Sequence, residues 1–172
     1  MIFLFLITAR YGYCNAIELE DRDFIISIGL DNKLDNRDKN KLEVTTLSAD
    51  IDYFKKKSTD SNKKYTESVL AESLNDGLNM INNRSDKNIY LGHTQILFIN
   101  KKLFDDKKKL SKIIQDIENN SHLNQKIKII FVDNAKKTIN SQFVPDLLKH
   151  IKNKPDTKSF DIRILSKAIK PN

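Results

Sequence analysis

The chain has 172 residues, of which 39% are hydrophobic and 31% charged, a composition typical of a globular domain and not of a disordered segment. Its single cysteine, Cys14, excludes an internal disulfide and any zinc site built from several cysteines. The formal charge of +7 comes mostly from lysine and would attract anionic surfaces, although a solvated lysine-rich surface is the interpretation we favour.

The N-terminus has the pattern of an export leader. Residues 1–9, MIFLFLITA, are almost entirely apolar, and Arg10 ends the run. The run is long enough for the apolar part of an export signal and too short to cross a bilayer as a helix. A lone cysteine directly behind such a run is the arrangement of bacterial lipoproteins, in which the thiol receives a diacylglycerol. We therefore predict that residues 1–16 form a leader and that Cys14 is lipidated.

The residues around Cys14 leave two alternatives open. A lipoprotein leader usually has small residues before its cysteine, whereas Tyr13 is bulky. Cys14 and Ala16 also fit the small-residue pattern of a signal peptidase site, and cleavage after Ala16 would release an unlipidated protein. In the second alternative, residues 1–9 form a strand and Cys14 is a small buried side chain.

The next segments predict a β-hairpin. Residues 18–23 are charged and indicate a short turn or helix. Residues 24–30 are nearly all apolar, as in a strand that is buried on both faces. Residues 42–47 alternate and are β-branched, which predicts the antiparallel partner of that strand, with a polar turn over 31–41 between them.

A lysine- and serine-rich connection over residues 50–65 precedes a predicted helix. Thr66 is the expected N-cap, and Asn82 and Asn83 are expected to end the helix. Its apolar positions recur every three or four residues, as on one face of an amphipathic helix. These positions are Leu70, Leu74, Leu78 and Ile81.

The central part of the chain predicts a βαβ unit. Residues 90–99 form the third strand, Asp105 or Asp106 caps a helix, and residues 127–132 form the fourth strand. The helix has apolar residues at the i, i+3, i+4, i+7 spacing, namely Leu110, Ile113, Ile114 and Ile117. We expect the two strands of this unit to pair in parallel.

The C-terminal part adds one more predicted helix. Pro145 suits its first turn, and its apolar residues are Val144, Leu147, Leu148 and Ile151. Residues 159–169 are compatible with a helix or a strand. The predicted fold is therefore α/β with α+β character: a mixed sheet with an N-terminal hairpin and a βαβ unit, packed by three or so helices.

The sequence carries little catalytic pattern. His93, His122 and His150 are far apart, and none has a second ligand at metal spacing. Residues 31–35, DNKLD, faintly resemble a calcium loop, but the required glycine is missing and Leu42 stands where a glutamate belongs. Phosphate-binding loops and hydrolase motifs are missing as well. We expect no catalytic residue, no cofactor and no metal, and a protein that is not an enzyme.

Two segments resemble the Ger(x)C family, the C subunits of spore germination receptors. Residues 14–31, CNAIELEDRDFIISIGLD, resemble the family's opening, in which a lipidated cysteine precedes an E-L-x-D-like segment and a strand that ends in G-x-D. Residues 90–99, YLGHTQILFI, resemble the family's Y-L-G-H-x-Q-[VI]-L strand. The similarity extends from Cys14 to about Val144.

The resemblance implies a lipoprotein anchored through Cys14 to the outer face of the inner spore membrane. It implies two membrane-embedded partners, the A and B subunits, with which the chain forms a nutrient receptor. Residues 17–172 would be the family's N-terminal domain. Because family members are considerably longer, we expect a truncated member that lacks their C-terminal domains.

Two other functions are compatible with the sequence. One is a secreted, soluble binding module without a lipid anchor. The other is a basic nucleic-acid-binding protein, which the charge of +7 suggests.

Some motif positions have a simple structural interpretation. We expect Gly29 and Gly92 to lie where one backbone passes close to another in the sheet. Glu18, Asp21 and Arg22 are expected to form a local ion pair beside the anchor, or else to contact a partner.

Overall fold

The computed structural model describes residues 19–34, 40–49, 64–123, 127–141 and 160–161. Within these ranges, seven strands form one mixed sheet. Its order is β3 (Lys64–Ala71), β2 (Asn40–Ala49), β1 (Arg22–Leu34), β5 (Ile96–Asn100), β6 (Lys128–Val132) and β7 (Phe160–Asp161). The short strand β4 (Asn88–Tyr90) also pairs with β1. Three α-helices pack on the sheet. The predicted fold class is confirmed.

The N-terminal hairpin is confirmed. A single 3₁₀ turn, Leu19–Asp21, leads into β1 (Arg22–Leu34), which pairs antiparallel with β2 (Asn40–Ala49). Both strands are longer than predicted, because the pairing continues through Asp31 and Glu43 into the segment expected to be a turn. The register shifts between Ile25 and Ser27, so Ile26 forms a β-bulge.

The predicted start of the first helix is wrong. Residues Lys64–Ala71 form strand β3, which pairs antiparallel with β2, and Thr66 lies opposite Leu47 instead of capping a helix. The helix α1 is Leu74–Asn82, and its cap is Ser73, whose hydroxyl accepts a hydrogen bond of 3.1 Å from the backbone NH of Asp76. The error arose because Leu70 continues the helical spacing, whereas β2 offers the preceding residues a full set of strand hydrogen bonds. Asn83 ends α1, as predicted.

The predicted third strand over 90–99 is in fact two strands. β4 (Asn88–Tyr90) and β5 (Ile96–Asn100) both run parallel to β1, where Tyr90 pairs with Phe24 and Ile96 with Ser27. The chain advances six residues from Tyr90 to Ile96 while β1 advances three, so the excess residues must leave the sheet. They form a turn closed by a hydrogen bond from Thr94 NH to the Leu91 carbonyl.

The βαβ unit is confirmed. β5 is followed by a 3₁₀ turn, Lys101–Phe104, by α2 (Lys107–Asn119) and by β6 (Lys128–Val132), which pairs in parallel with β5. Asp106 caps α2 by accepting from Lys109 NH at 3.0 Å. The four predicted apolar residues of α2 are all buried.

The C-terminal elements are only partly described. β7 (Phe160–Asp161) pairs antiparallel with β6, so the start of the ambiguous segment 159–169 is a strand. The helix predicted from Pro145 lies outside the described residues. A six-residue helix, α3 (Ala135–Asn140), follows β6 and was not predicted.

The core has two parts, one on each face of the sheet. The larger part lies between the sheet and the helices α1 and α2. The smaller part lies under α3, whose Ala135 and Ile139 pack against Ile26, Ile96 and Phe98. Among the described helices, none is long and apolar enough to cross a membrane.

Candidate functional site

The predicted lipidation site, Cys14, lies outside the described residues, as do Glu18 and His150. His93 and His122 are described, and both are exposed. Within the described ranges, no group of three or more His, Cys, Asp and Glu side chains is arranged to hold a metal ion. Three clusters of described residues are the candidates for a functional site: an aromatic edge, a capping network and a lysine face.

The aromatic edge is defined by Arg22, Phe24, Tyr90 and His93, at the end of β1 that is nearer in sequence to Cys14. The rings of Phe24, Tyr90 and His93 contact one another with centroids 5.4–5.6 Å apart. The Arg22 guanidinium lies over the Tyr90 ring, 5.2 Å from its centroid. Edge-to-face rings and a cation over a ring are both stabilising arrangements. These contacts join the beginning of β1 to the turn that follows β4.

The same turn holds the β1 bulge in place. The hydroxyl of Thr94, a fully buried residue, donates to the Ile25 carbonyl at 3.1 Å, and Gln95 NH donates to the Ile26 carbonyl at 3.0 Å. The Gln95 carbonyl in turn accepts from Lys128 NH at 2.9 Å, at the start of β6. Residues 90–95, the most distinctive part of the second motif, therefore connect three strands, a role that sequence reasoning missed.

The two motif glycines face side chains and not strand backbones. A Cβ added to Gly92 would lie 2.7 Å from the Tyr90 hydroxyl, so the glycine makes room for the tyrosine side chain within the turn. A Cβ added to Gly29 would lie 2.6 Å from Ile139 Cδ1 and 3.1 Å from Ala135 Cβ. Gly29 is therefore needed for the close approach of α3 to β1. The predicted contact between two sheet backbones is wrong at both positions.

The capping network is centred on Asp31, which is buried at the end of the G-x-D motif. Its carboxylate accepts hydrogen bonds from the backbone NH groups of Ala135 and Lys136, at 2.9 and 2.8 Å, and from Asn100 Nδ2 at 2.7 Å. A carboxylate at a helix N-terminus satisfies unpaired NH groups and interacts favourably with the helix dipole. Gly29 and Asp31 together seat and cap α3, so this motif has a structural role.

Glu43 lies beside Asp31 on the neighbouring strand and is also buried. Its Oε1 accepts from Lys33 Nζ and from Lys136 Nζ, each at 2.9 Å. Burial alone would raise the pKa of Glu43, but the hydrogen bonds and charges of the two lysines outweigh burial and hold the pKa below its ordinary value. Both buried carboxylates therefore have hydrogen-bond partners, and the two lysines stabilise the ionised form of Glu43.

The lysine face is defined by Lys107, Lys108 and Lys112, which are exposed on the first half of α2. The adjacent Lys109 donates to Asn32 Oδ1 at 2.8 Å. Burial lowers the pKa of Lys109, and the charges of Asp106 and Glu72 oppose this shift. Lys112 Nζ lies 3.4 Å from the Glu72 carbonyl. The face therefore carries three exposed ammonium groups, and the carboxylate of the N-cap Asp106 lies at its start.

A family model described as the spore germination protein N-terminal domain matches residues 15–155 of the chain. The match covers most of the sequence and includes all three clusters. No match was found among the curated proteins. None was found among the solved structures.

Proposed function

The chain belongs to the family of spore germination protein N-terminal domains, and from this membership we propose that it acts as the lipid-anchored C subunit of a nutrient-sensing germination receptor. The observation that carries the proposal is the match over residues 15–155. The partners would be the A and B membrane subunits, and the location would be the outer face of the inner spore membrane.

The proposed anchor is Cys14. The family match begins at residue 15, directly after the cysteine that would become the mature N-terminus. An apolar run precedes the cysteine, as lipoprotein export requires. Diacylation supplies two chains, and two membrane signals are needed for stable attachment because one chain gives only reversible binding.

The proposed role is binding and assembly, without catalysis. The buried carboxylates of Asp31 and Glu43 support it, because each is held by partners that maintain the fold. The described parts of the two motif segments, residues 19–31 and 90–99, likewise hold β1 against β4, β5 and α3. A domain of this kind would present a rigid surface to the A and B subunits.

The intact mass of the mature protein tests the anchor directly. We expect a chain that begins at Cys14 and carries the mass of a diacylglycerol, recovered from the membrane fraction. The Cys14→Ala variant should lose the acyl mass. A soluble chain that begins at Ile17 would instead support the secreted binding module, and a cytoplasmic chain that retains residues 1–13 would contradict both.

Co-purification tests the partners. Tagged wild-type protein, solubilised from membranes with mild detergent, should carry the A and B subunits with it. Recovery of the lipidated chain without either subunit would contradict the receptor role while leaving the anchor intact.

A further inference from the structure

Helix α2 places positive charge where the helix itself disfavours it. Its first three residues are Lys107, Lys108 and Lys109, Lys112 follows one turn later, and its first turn contains no acidic residue. The N-terminus of a helix carries the positive end of the helix dipole, which repels lysine. Lys108 and Lys112 are also four residues apart, a spacing at which like charges destabilise a helix.

The helix tolerates these charges because other contacts stabilise it. Its buried face contributes four side chains to the larger core, and Asp106 caps its first turn. A local pattern that opposes the stability of its own element is expected where function, and not folding, has selected the residues. The lysine face therefore indicates a contact with an anionic partner.

The side-chain types of the lysine face favour one kind of anionic partner. Its exposed residues from 107 to 115 are three lysines, Ser111 and Gln115, with no arginine and no aromatic side chain, and the exposed carboxylates of Asp105 and Asp106 precede them. The exposed Phe104 of the preceding turn packs its ring against Phe131. Base reading and phosphate clamping favour arginine forks, and binding of single-stranded nucleic acids favours aromatic side chains on which bases stack. Ammonium groups on flexible lysine side chains are attracted to the anionic headgroups of a bilayer without needing a fixed geometry. We propose that the lysine face of α2 binds the anionic headgroups of a phospholipid bilayer.

The position of the face, together with the proposed anchor, would orient the domain on the bilayer. This step rests on the proposed function. The link from the proposed anchor to β1 can span at most about 20 Å, because residues 15–18 reach over at most about 14 Å and the 3₁₀ turn Leu19–Asp21 adds about 6 Å. Lys109 contacts Asn32, which is ten residues along β1 from Arg22, or roughly 33 Å of extended strand. An anchor at one end of β1 and the lysine face towards the other would hold the strand along the bilayer surface and fix the orientation of the domain.

Vesicle binding tests the proposal without the acyl anchor. The full chain carrying Cys14→Ala is titrated with vesicles of phosphatidylcholine alone and with vesicles that also contain phosphatidylglycerol. Any affinity of the apolar residues 1–9 is common to both, so the difference isolates the electrostatic part. We expect clear preference for the anionic vesicles at low salt and loss of the preference at high salt.

Two variants of equal net charge separate the face from net charge. Lys108→Gln with Lys112→Gln should weaken binding to anionic vesicles roughly 25-fold, since each lysine contributes about fivefold at an anionic surface. The control, Lys137→Glu, removes the same two units of charge at an exposed residue of α3, on the opposite face of the sheet from α2, and should change binding by less than about threefold. Thermal unfolding should show that both variants remain folded.

Three outcomes would overturn the proposal. The first is equal binding to both vesicle types, and the second is an equal loss of binding in the two variants. The third is binding of duplex DNA that depends on Lys108 and Lys112, in a chain that does not bind vesicles. Absence of an acyl group on native Cys14 would overturn the proposed function alone, because this assay contains no acylated chain.

Discussion

Buried polar side chains show how completely hydrogen-bonding groups are satisfied in this fold. Asp31, Asn100 and Thr94 are all buried, and each has hydrogen-bond partners. Ser27 is the exception within the described residues, because its fully buried hydroxyl has no partner there. A buried hydroxyl without a partner loses its hydrogen bonds to water and gains nothing in return.

We therefore expect Ser27→Ala to leave the free energy of unfolding unchanged or to raise it by about 1 kcal/mol. Thr94→Val is the matched control, since it removes a buried hydroxyl that donates to Ile25, and it should lower the free energy of unfolding by about 1–2 kcal/mol. Denaturant unfolding of both variants measures the difference. Equal losses would mean that Ser27 has a partner after all.

The pKa of Glu43 gives a stability that depends on pH. Its folded pKa lies below the ordinary value of 4.5, so ionised Glu43 stabilises the fold above that value, and this stabilisation is lost as the pH falls through the folded pKa. Wild-type protein should therefore lose more stability between neutral pH and acid than Glu43→Gln does. Chemical unfolding at a series of pH values checks this, and parallel pH profiles would contradict it.

At the scale of strands and helices, local sequence preferences compete with hydrogen bonds to distant strands. Residues 66–71 were predicted to begin a helix by their spacing, yet they lie in strand β3, because β2 offers a continuous row of backbone partners. The helix that follows must then start at Ser73. The position of the cap therefore depends on where β3 ends.

Substitution distinguishes the observed cap of α1, Ser73, from the cap predicted from sequence, Thr66. Ser73→Ala should lower the free energy of unfolding by about 1 kcal/mol, because it leaves an NH at the start of α1 without its acceptor. Thr66→Ala, at an exposed strand position, should change it by less than about 0.5 kcal/mol. A larger effect at Thr66 than at Ser73, measured by denaturant unfolding, would favour the helix predicted from sequence.

At the scale of the whole molecule, the proposed anchor and the lysine face are two attachments of different physical nature. Acyl chains bind by burial of hydrocarbon, which salt does not weaken. Lysines bind by charge, which salt screens within about 10 Å at 0.1 M. The two contributions should therefore separate in one experiment.

We expect wild-type protein to stay in the membrane fraction when membranes are washed with concentrated salt. The Cys14→Ala variant should be retained at low salt and released by the wash. Lys108→Gln with Lys112→Gln, added to Cys14→Ala, should reduce retention at low salt as well. Quantitative blotting of pellet and supernatant gives the result, and salt release of the wild type would contradict the acyl anchor.

Local patterns in the sequence were enough to predict much of the fold. The apolar spacing of α2, its cap at Asp105 or Asp106, the strand β6 and the β1–β2 hairpin were all predicted from residues close together in the chain, and the structure selects Asp106 as the cap. The family likewise followed from two short motifs, and the match confirmed it. Lipidation of Cys14 also came from a local pattern and stays a prediction, because the residue lies outside the described ranges.

The tertiary structure alone decided what the motif residues do. Asp31 caps a helix 104 residues further along the chain, and Thr94 donates to a carbonyl 69 residues before it. The sequence determined which segments prefer to be helix or strand, because that preference depends on near neighbours. It did not reveal the capping network, the split of residues 90–99 or the strand β3, because their hydrogen-bond partners are brought together only when the sheet assembles.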